Sequence, residues 1–162
     1  MSNFKLDFSA TQYQGGRVAI VHARFNQPLI DMMIDGAKAK LAELAVPEEN
    51  IELFNVAGAY ELPLAAQQVA KSGMFDAIIA IGVVIKGDTP HFDFVSAESS
   101  AGLMRVSLDE QMPIIFGILT TNTEAQAEER ANPAKMNKGG EAAATAIEMI
   151  NLKKSLNPSA KV

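Results

Sequence analysis

The run Ala77-Ile78-Ile79-Ala80-Ile81-Gly82-Val83-Val84-Ile85 constrains the fold more than any other stretch of this chain. It carries no polar residue, so as a strand it must be covered on both faces, as strands are in parallel sheets between helical layers. The run leads directly into the polar segment Lys86-Gly87-Asp88-Thr89-Pro90-His91-Phe92-Asp93. In open parallel sheets, ligands bind in the crevice just beyond the carboxyl ends of the strands. Backbone N–H groups around Gly87, the Thr89 hydroxyl and the His91 imidazole make this loop a small-molecule site suited to an anion.

The rest of the chain alternates in the same sense. Arg17 to Ala23 reads as a strand, followed by Ile30, Met33, Ile34, Ala37, Leu41 and Leu44 at helical spacing. Ile51 to Val56 reads as a second strand, and Pro63 sits where the first turn of a helix tolerates it, with Gly73 at that helix's end. A helix is expected from about Phe94 to Leu108, a fourth strand over Pro113 to Leu119, and a last helix from about Gly140 to Lys154. Thr123-Glu124-Ala125-Gln126 has the form of a capping box opening the helix between them. Strands alternating with helices imply right-handed β-α crossovers, hence an α/β protein: a three-layer αβα sandwich with a four-stranded parallel sheet, flavodoxin-like in topology.

At 162 residues the chain suits one domain, since a chain near this length buries roughly 70% of its unfolded surface. The net charge of −5 and the scattered basic residues argue against nucleic acid or an acidic membrane as partner, because both require a concentrated basic surface. The absence of cysteine removes disulfides, thiol nucleophiles and thiolate metal sites. No signal segment or membrane span is evident, and a cytoplasmic protein is expected. Residues 1–16 read as an N-terminal arm or edge strand, 17–156 as the folded domain and 157–162 as a tail. In the arm, Phe4, Leu6 and Phe8 alternate with Lys5 and Asp7, the pattern of a strand that adds to a neighbouring subunit's sheet. In the last helix Ala142, Ala143, Ala144, Ala146, Ile147, Met149 and Ile150 cover more than one stripe. Burial against both its own sheet and a partner, or deep burial within the chain alone, accounts for that pattern.

Four strand-end loops, 23–26, 57–61, 86–91 and 120–122, open on one edge of such a sheet. Phe25 is either a stacking face for a planar ring or a staple onto the following helix, the staple being the commoner role. Glu61 either accepts hydrogen bonds from a polyol or sits favourably at a helix N-terminus. His91 exchanges protons near neutral pH beside anion-binding amides, or is simply a surface loop histidine. His22, inside a strand, reads as structural, and two histidines so far apart form no metal motif. Neither a P-loop nor a dinucleotide fingerprint is present. If an anion binds at Gly87, Asp88 contributes its backbone N–H and turns its carboxylate away, and a second cation is needed. Arg130 and Lys138 are the candidates, with Arg130 otherwise part of a solvated helix face.

Taken together, Ala23-Arg24-Phe25-Asn26, Gly58-Ala59-Tyr60-Glu61-Leu62-Pro63, Gly87 to Asp93, Phe116 to Thr121, Glu129-Arg130-Ala131 and Asn137-Lys138-Gly139 resemble the lumazine synthase family of riboflavin biosynthesis. The resemblance runs along nearly the whole chain. It implies a transferase that condenses 5-amino-6-(D-ribitylamino)uracil with 3,4-dihydroxy-2-butanone 4-phosphate, releasing phosphate and water, with no metal and no organic cofactor. It places Phe25 over the pyrimidine, with Ala59, Tyr60 and Glu61 around the ribityl chain and the main chain of Val83, Val84 and Ile85 at the ring edge. Phe116 and Lys138 complete the pyrimidine side. Gly87, Asp88 and Thr89 hold the phosphate with Arg130, and His91 and Arg130 are the catalytic pair. It further implies a homo-oligomer with shared active sites, a pentamer or an assembly of pentamers, and riboflavin synthase as a candidate partner.

The chain departs from the family's common pattern in three places. Lys86 stands where arginine is frequent and loses a bidentate fork. Ala57 takes a common proline position, and Asn132-Pro133-Ala134-Lys135-Met136 replaces a glycine-rich turn found in sixty-subunit shells. Two other classes compete with the enzyme: a non-catalytic flavin- or phosphate-binding module of flavodoxin-like topology, and a structural homologue without activity.

Overall fold

The strand expected from Ala77 to Ile85 forms over those residues as β3 (Ala77–Ile85), and the first five of them are wholly enclosed. The computed structural model describes residues 4–158. With β1 (Val18–Ala23), β2 (Ile51–Val56) and β4 (Ile114–Thr121), β3 makes one parallel sheet in the order β2-β1-β3-β4. Helices α1 (Gln27–Glu43), α4 (Glu124–Ala131) and α5 (Lys138–Leu156) cover one face, and α2 (Leu62–Lys71) and α3 (His91–Asp109) cover the other.

Side-chain alternation builds the two cores. Val18 and Ile20 of β1 and Ile79 and Ile81 of β3 face α1 and α5, where they meet Ile30, Met33, Leu41 and Ile147. Ala19, Val21, Ile78 and Ala80 face the opposite way onto Leu62, Ala66 and Leu103. This is the three-layer arrangement expected from strands that are apolar throughout.

Several boundaries differ from the sequence reading. Helix α3 begins at His91, three residues before Phe94, because Pro90 stands at the N-cap with a φ of −68°, already compatible with the helix. His91 therefore belongs to the first helical turn rather than to the loop. Only half of the expected capping box forms at α4: the Thr123 hydroxyl accepts from Gln126 N–H, while the Gln126 side chain accepts from Asn122 N–H instead. In α5 the alanines and Ile147 are buried within the chain, but Met149 is 38% exposed.

The arm and tail are described only in part, since residues 1–3 and 159–162 lie outside the described residues. Residues 4–8 form no strand with this chain's own sheet, and Phe4 and Leu6 are exposed. Residues 11–16, by contrast, lie along α5: Asn151 Nδ2 donates to the Gln12 carbonyl at 2.7 Å and Lys154 Nζ to that of Gly15 at 2.7 Å. No helix among the described residues is long and apolar enough to cross a membrane.

Candidate functional site

Beyond the carboxyl ends of β1, β2 and β3 lies a cavity of about 670 Å³. Three of the four strand-end loops meet there. The first is drawn in by main-chain bonds, Arg24 N–H donating to the Val56 carbonyl at 2.9 Å and Phe25 N–H to that of Ala57 at 3.0 Å. Phe25 lines the cavity and is 72% exposed, so its ring is not stapled onto α1. Its main-chain bond to the neighbouring loop holds it over the opening instead.

The second loop forms a single 3-10 turn over Ala59–Glu61. Glu61 Oε2 accepts from Gly58 N–H at 2.9 Å, closing that turn, and Glu61, Ala59 and Tyr60 all line the cavity. The reading of Glu61 as a residue settled at a helical N-terminus therefore holds, and its place in the lining leaves the carboxylate beside the cavity. Val83, Val84 and Ile85 supply the floor, and Gly87, Thr89 and His91 the far rim. His91 is exposed, with its backbone N–H reaching the Thr89 hydroxyl at 3.4 Å. Asp88 is exposed and stands outside this lining. No lysine or arginine is among the lining residues, so a phosphate here would face main-chain dipoles and one imidazole.

The cations lie elsewhere. A second cavity of about 460 Å³ runs along β4 and holds Phe116, Arg130 and Lys138. It also takes Thr120, so the fourth loop does not join the other three: β4 is the sheet's outer strand, beyond β3. Phe116 is 50% exposed on that strand. Arg130 Nη1 donates to the Gln126 carbonyl at 2.9 Å, and Lys138 Nζ to Glu141 Oε2 at 2.6 Å. Asn137, left-handed with a φ of 50°, caps α5 by accepting from Gly140 N–H and sets Lys138 as its first residue. Ahead of it, the Lys135 ammonium and then the Asn132 amide bind Glu128 and hold its carboxyl below its ordinary range.

Sequence reasoning passed over Asn26, Phe92, Phe94 and Val95 in the first cavity and Glu141 in the second. Spacing carried a signal for Glu141, three residues after Lys138 on one helix. His22 lies in neither cavity; its ring Nδ1 is 3.2 Å from the Ala23 carbonyl, in keeping with the structural reading.

An open parallel sheet with an aromatic-rimmed cavity beyond its strand ends defines an α/β small-molecule-binding protein of the three-layer class. A family model described as 6,7-dimethyl-8-ribityllumazine synthase matches residues 15–154. Over 140 residues the chain is 49% identical to the 6,7-dimethyl-8-ribityllumazine synthases of Campylobacter jejuni strains 81-176 and RM1221, covering 86% of this chain and 91% of each relative. The chain belongs to the 6,7-dimethyl-8-ribityllumazine synthase family. Its reaction is the condensation that forms the lumazine in riboflavin biosynthesis, which sets aside the non-catalytic binding module.

Proposed function

We propose that the condensation takes place at a site completed by two subunits, one supplying the cavity beyond β1–β3 and its neighbour the cations along β4. The observation that carries this is the separation of the two cavities: they share no lining residue, one holds His91 without a cation, and the other holds Arg130 and Lys138. A reaction that expels phosphate requires both.

Phe25 stacks on the pyrimidine of 5-amino-6-(D-ribitylamino)uracil, while Ala59, Tyr60 and Glu61 take the ribityl chain and the main chain of Val83, Val84 and Ile85 meets the ring edge. Phe116 and Lys138 of the neighbour close the other side. Gly87, Asp88 and Thr89 bind the phosphate of 3,4-dihydroxy-2-butanone 4-phosphate through amides and a hydroxyl, with Arg130 across the interface.

The substrate's amine attacks the ketone and loses water to give an imine; phosphate is then eliminated, and the carbonyl that results closes the second ring with loss of water. Every step relocates a proton, and His91 is the group at the rim able to carry it. Arg130 offsets the charge on phosphate as it leaves, and holding two substrates together supplies much of the remaining acceleration. The residues need no metal and no organic cofactor for this chemistry.

Exposed apolar surface supports a homopentamer. Phe94, Ala97, Ala101, Met104 and Leu108 are exposed on α3 at alternating spacings of three and four, the seam by which helices associate. The arm around Phe4 and Leu6 adds to the outer edge of β2 in a neighbouring subunit. On this reading the enzyme works in the cytoplasm, with riboflavin synthase as the protein that takes its product.

Subunit mixing tests the shared site. His91→Ala and Arg130→Ala proteins, each impaired alone, are unfolded together and reassembled; roughly a quarter of the sites then carry both native residues, and activity recovers to that level. Mixed oligomers no more active than the parents would refute a shared site.

A further inference from the structure

We infer that Asn26 is the positioning residue of the pyrimidine subsite, a side chain that replaces a missing strand on the open edge of β3. The inference rests on the places proposed for Phe25 and for the Val83–Ile85 main chain.

Along β3 the main-chain groups alternate between neighbours. Ala77 N–H donates to the Arg17 carbonyl on the β1 side, whereas Ile78 N–H and Lys86 N–H donate to the carbonyls of Pro113 and Thr121 on the β4 side. Odd-numbered residues thus present their N–H and C=O groups toward β1. Yet β1 stops at Ala23, and its pairing with β3 ends at His22 opposite Ile81. Val83 and Ile85 remain in register with β4 alone, so their polar main-chain groups face a gap where no strand continues.

Asn26 fills that gap. Its Nδ2 donates to the Val83 carbonyl at 2.9 Å, and both residues line the cavity. The residue stands at the N-cap of α1, where an asparagine ordinarily accepts from the helix's first turn, but its side chain makes no cap bond there. Its backbone is left-handed, with φ 65° and ψ 42°, a conformation that asparagine tolerates better than most residues. That kink lets the Asn26 carbonyl accept from Leu29 and Ile30 N–H at the start of α1 while the amide turns back to β3.

One residue thereby ties the stacking wall to the ring edge. Phe25 precedes it, and its bond fixes Val83 at the floor. With the Val83 carbonyl engaged by the amide, the groups on that edge left for the pyrimidine are the Val83 N–H and the main chain of Ile85.

Steady-state kinetics on the full-length assembled enzyme test this with each substrate varied in turn. Asn26→Gly keeps the left-handed backbone and removes the amide; Asn26→Asp keeps the shape but turns an acceptor on the Val83 carbonyl. Both are expected to raise KM for the pyrimidine about tenfold. The KM for the butanone phosphate should stay within about twofold and kcat within about threefold. A purely structural bond would instead lower Tm and the active fraction and leave both KM values alone; that result, or failure of both variants to fold, overturns the proposal. Phe25→Ala serves as the reference. A raised pyrimidine KM in Phe25→Ala beside a native value in Asn26→Gly overturns only the positioning role, whereas native values in both overturn the site reading beneath it.

Discussion

Gly139 lies against the main chain of Met33 so closely that a β-carbon there would overlap the Met33 carbonyl. This contact seats the first turn of α5 on the middle of α1, one residue after Lys138. Gly139→Ala must push the helices apart and carry Lys138 with them. Overpacking of this kind costs about 3 kcal/mol, and a denaturation midpoint lowered to match is the expected result. Unchanged stability would mean that α1 yields at no cost.

Phe25 combines an exposed ring with a backbone held by Ala57. Phe25→Ala therefore removes a binding surface and almost nothing from the core. The pyrimidine KM should rise roughly thirtyfold, equivalent to about 2 kcal/mol of lost contact, with Tm shifted by less than about 2 °C. Substrate titrations and a thermal melt on the same preparation read both.

His91 and Arg130 should fail differently. On the roles proposed above, His91→Ala removes the proton carrier but leaves both substrates bound, so kcat should fall by up to about a hundredfold while KM values stay nearly native. Arg130→Ala, on the same proposal, removes charge from the phosphate, so the loss of about tenfold or more should show chiefly when the butanone phosphate is limiting. The lumazine's absorbance follows both reactions. Near-native turnover in both variants would sink these roles.

The turn between α4 and α5 should be sensitive to acid. Lys135 and Asn132 lower the Glu128 carboxyl below its ordinary value of 4.5, and Glu128 in turn raises the Lys135 ammonium above 10.5. A lowered carboxyl contributes stability that is present above its unfolded value and is lost as the pH falls through the folded one. The raised ammonium contributes below its unfolded value, and that contribution is lost as the pH rises through the folded one. Glu128→Gln should thus lower Tm modestly at neutral pH, and the gap to the native protein should narrow as the pH falls below 4.5 and close once it passes the lowered folded value. Melts across that range measure it, and added salt should shrink the gap, since Lys135 is exposed and Glu128 only half-buried.

The sheet and most helices were legible because their signals are local. The unbroken apolar run of β3 can only be an interior strand, and Pro63 and Gly73 mark where α2 starts and stops. The start of α3 was misplaced because the pattern of buried residues begins later than the helix, at Ser99, while Pro90 set its first turn. In the site, Glu61, His91 and Phe25 stood out as chemical residues in strand-end loops. Asn26 did not, since its partner Val83 is 57 positions away.

By itself the sequence determined the layers, the parallel sense of the sheet, the loops that bear the chemistry and, through their order and spacing, the family. Those properties follow from residue types and short-range periodicity, which chain connectivity carries directly. Only the tertiary structure decided that three loops share one cavity while Phe116, Arg130 and Lys138 occupy another, and that an asparagine continues a strand that has ended. Strand order and register set those distances: β4 lies outside β3, and β1 is too short to cover it.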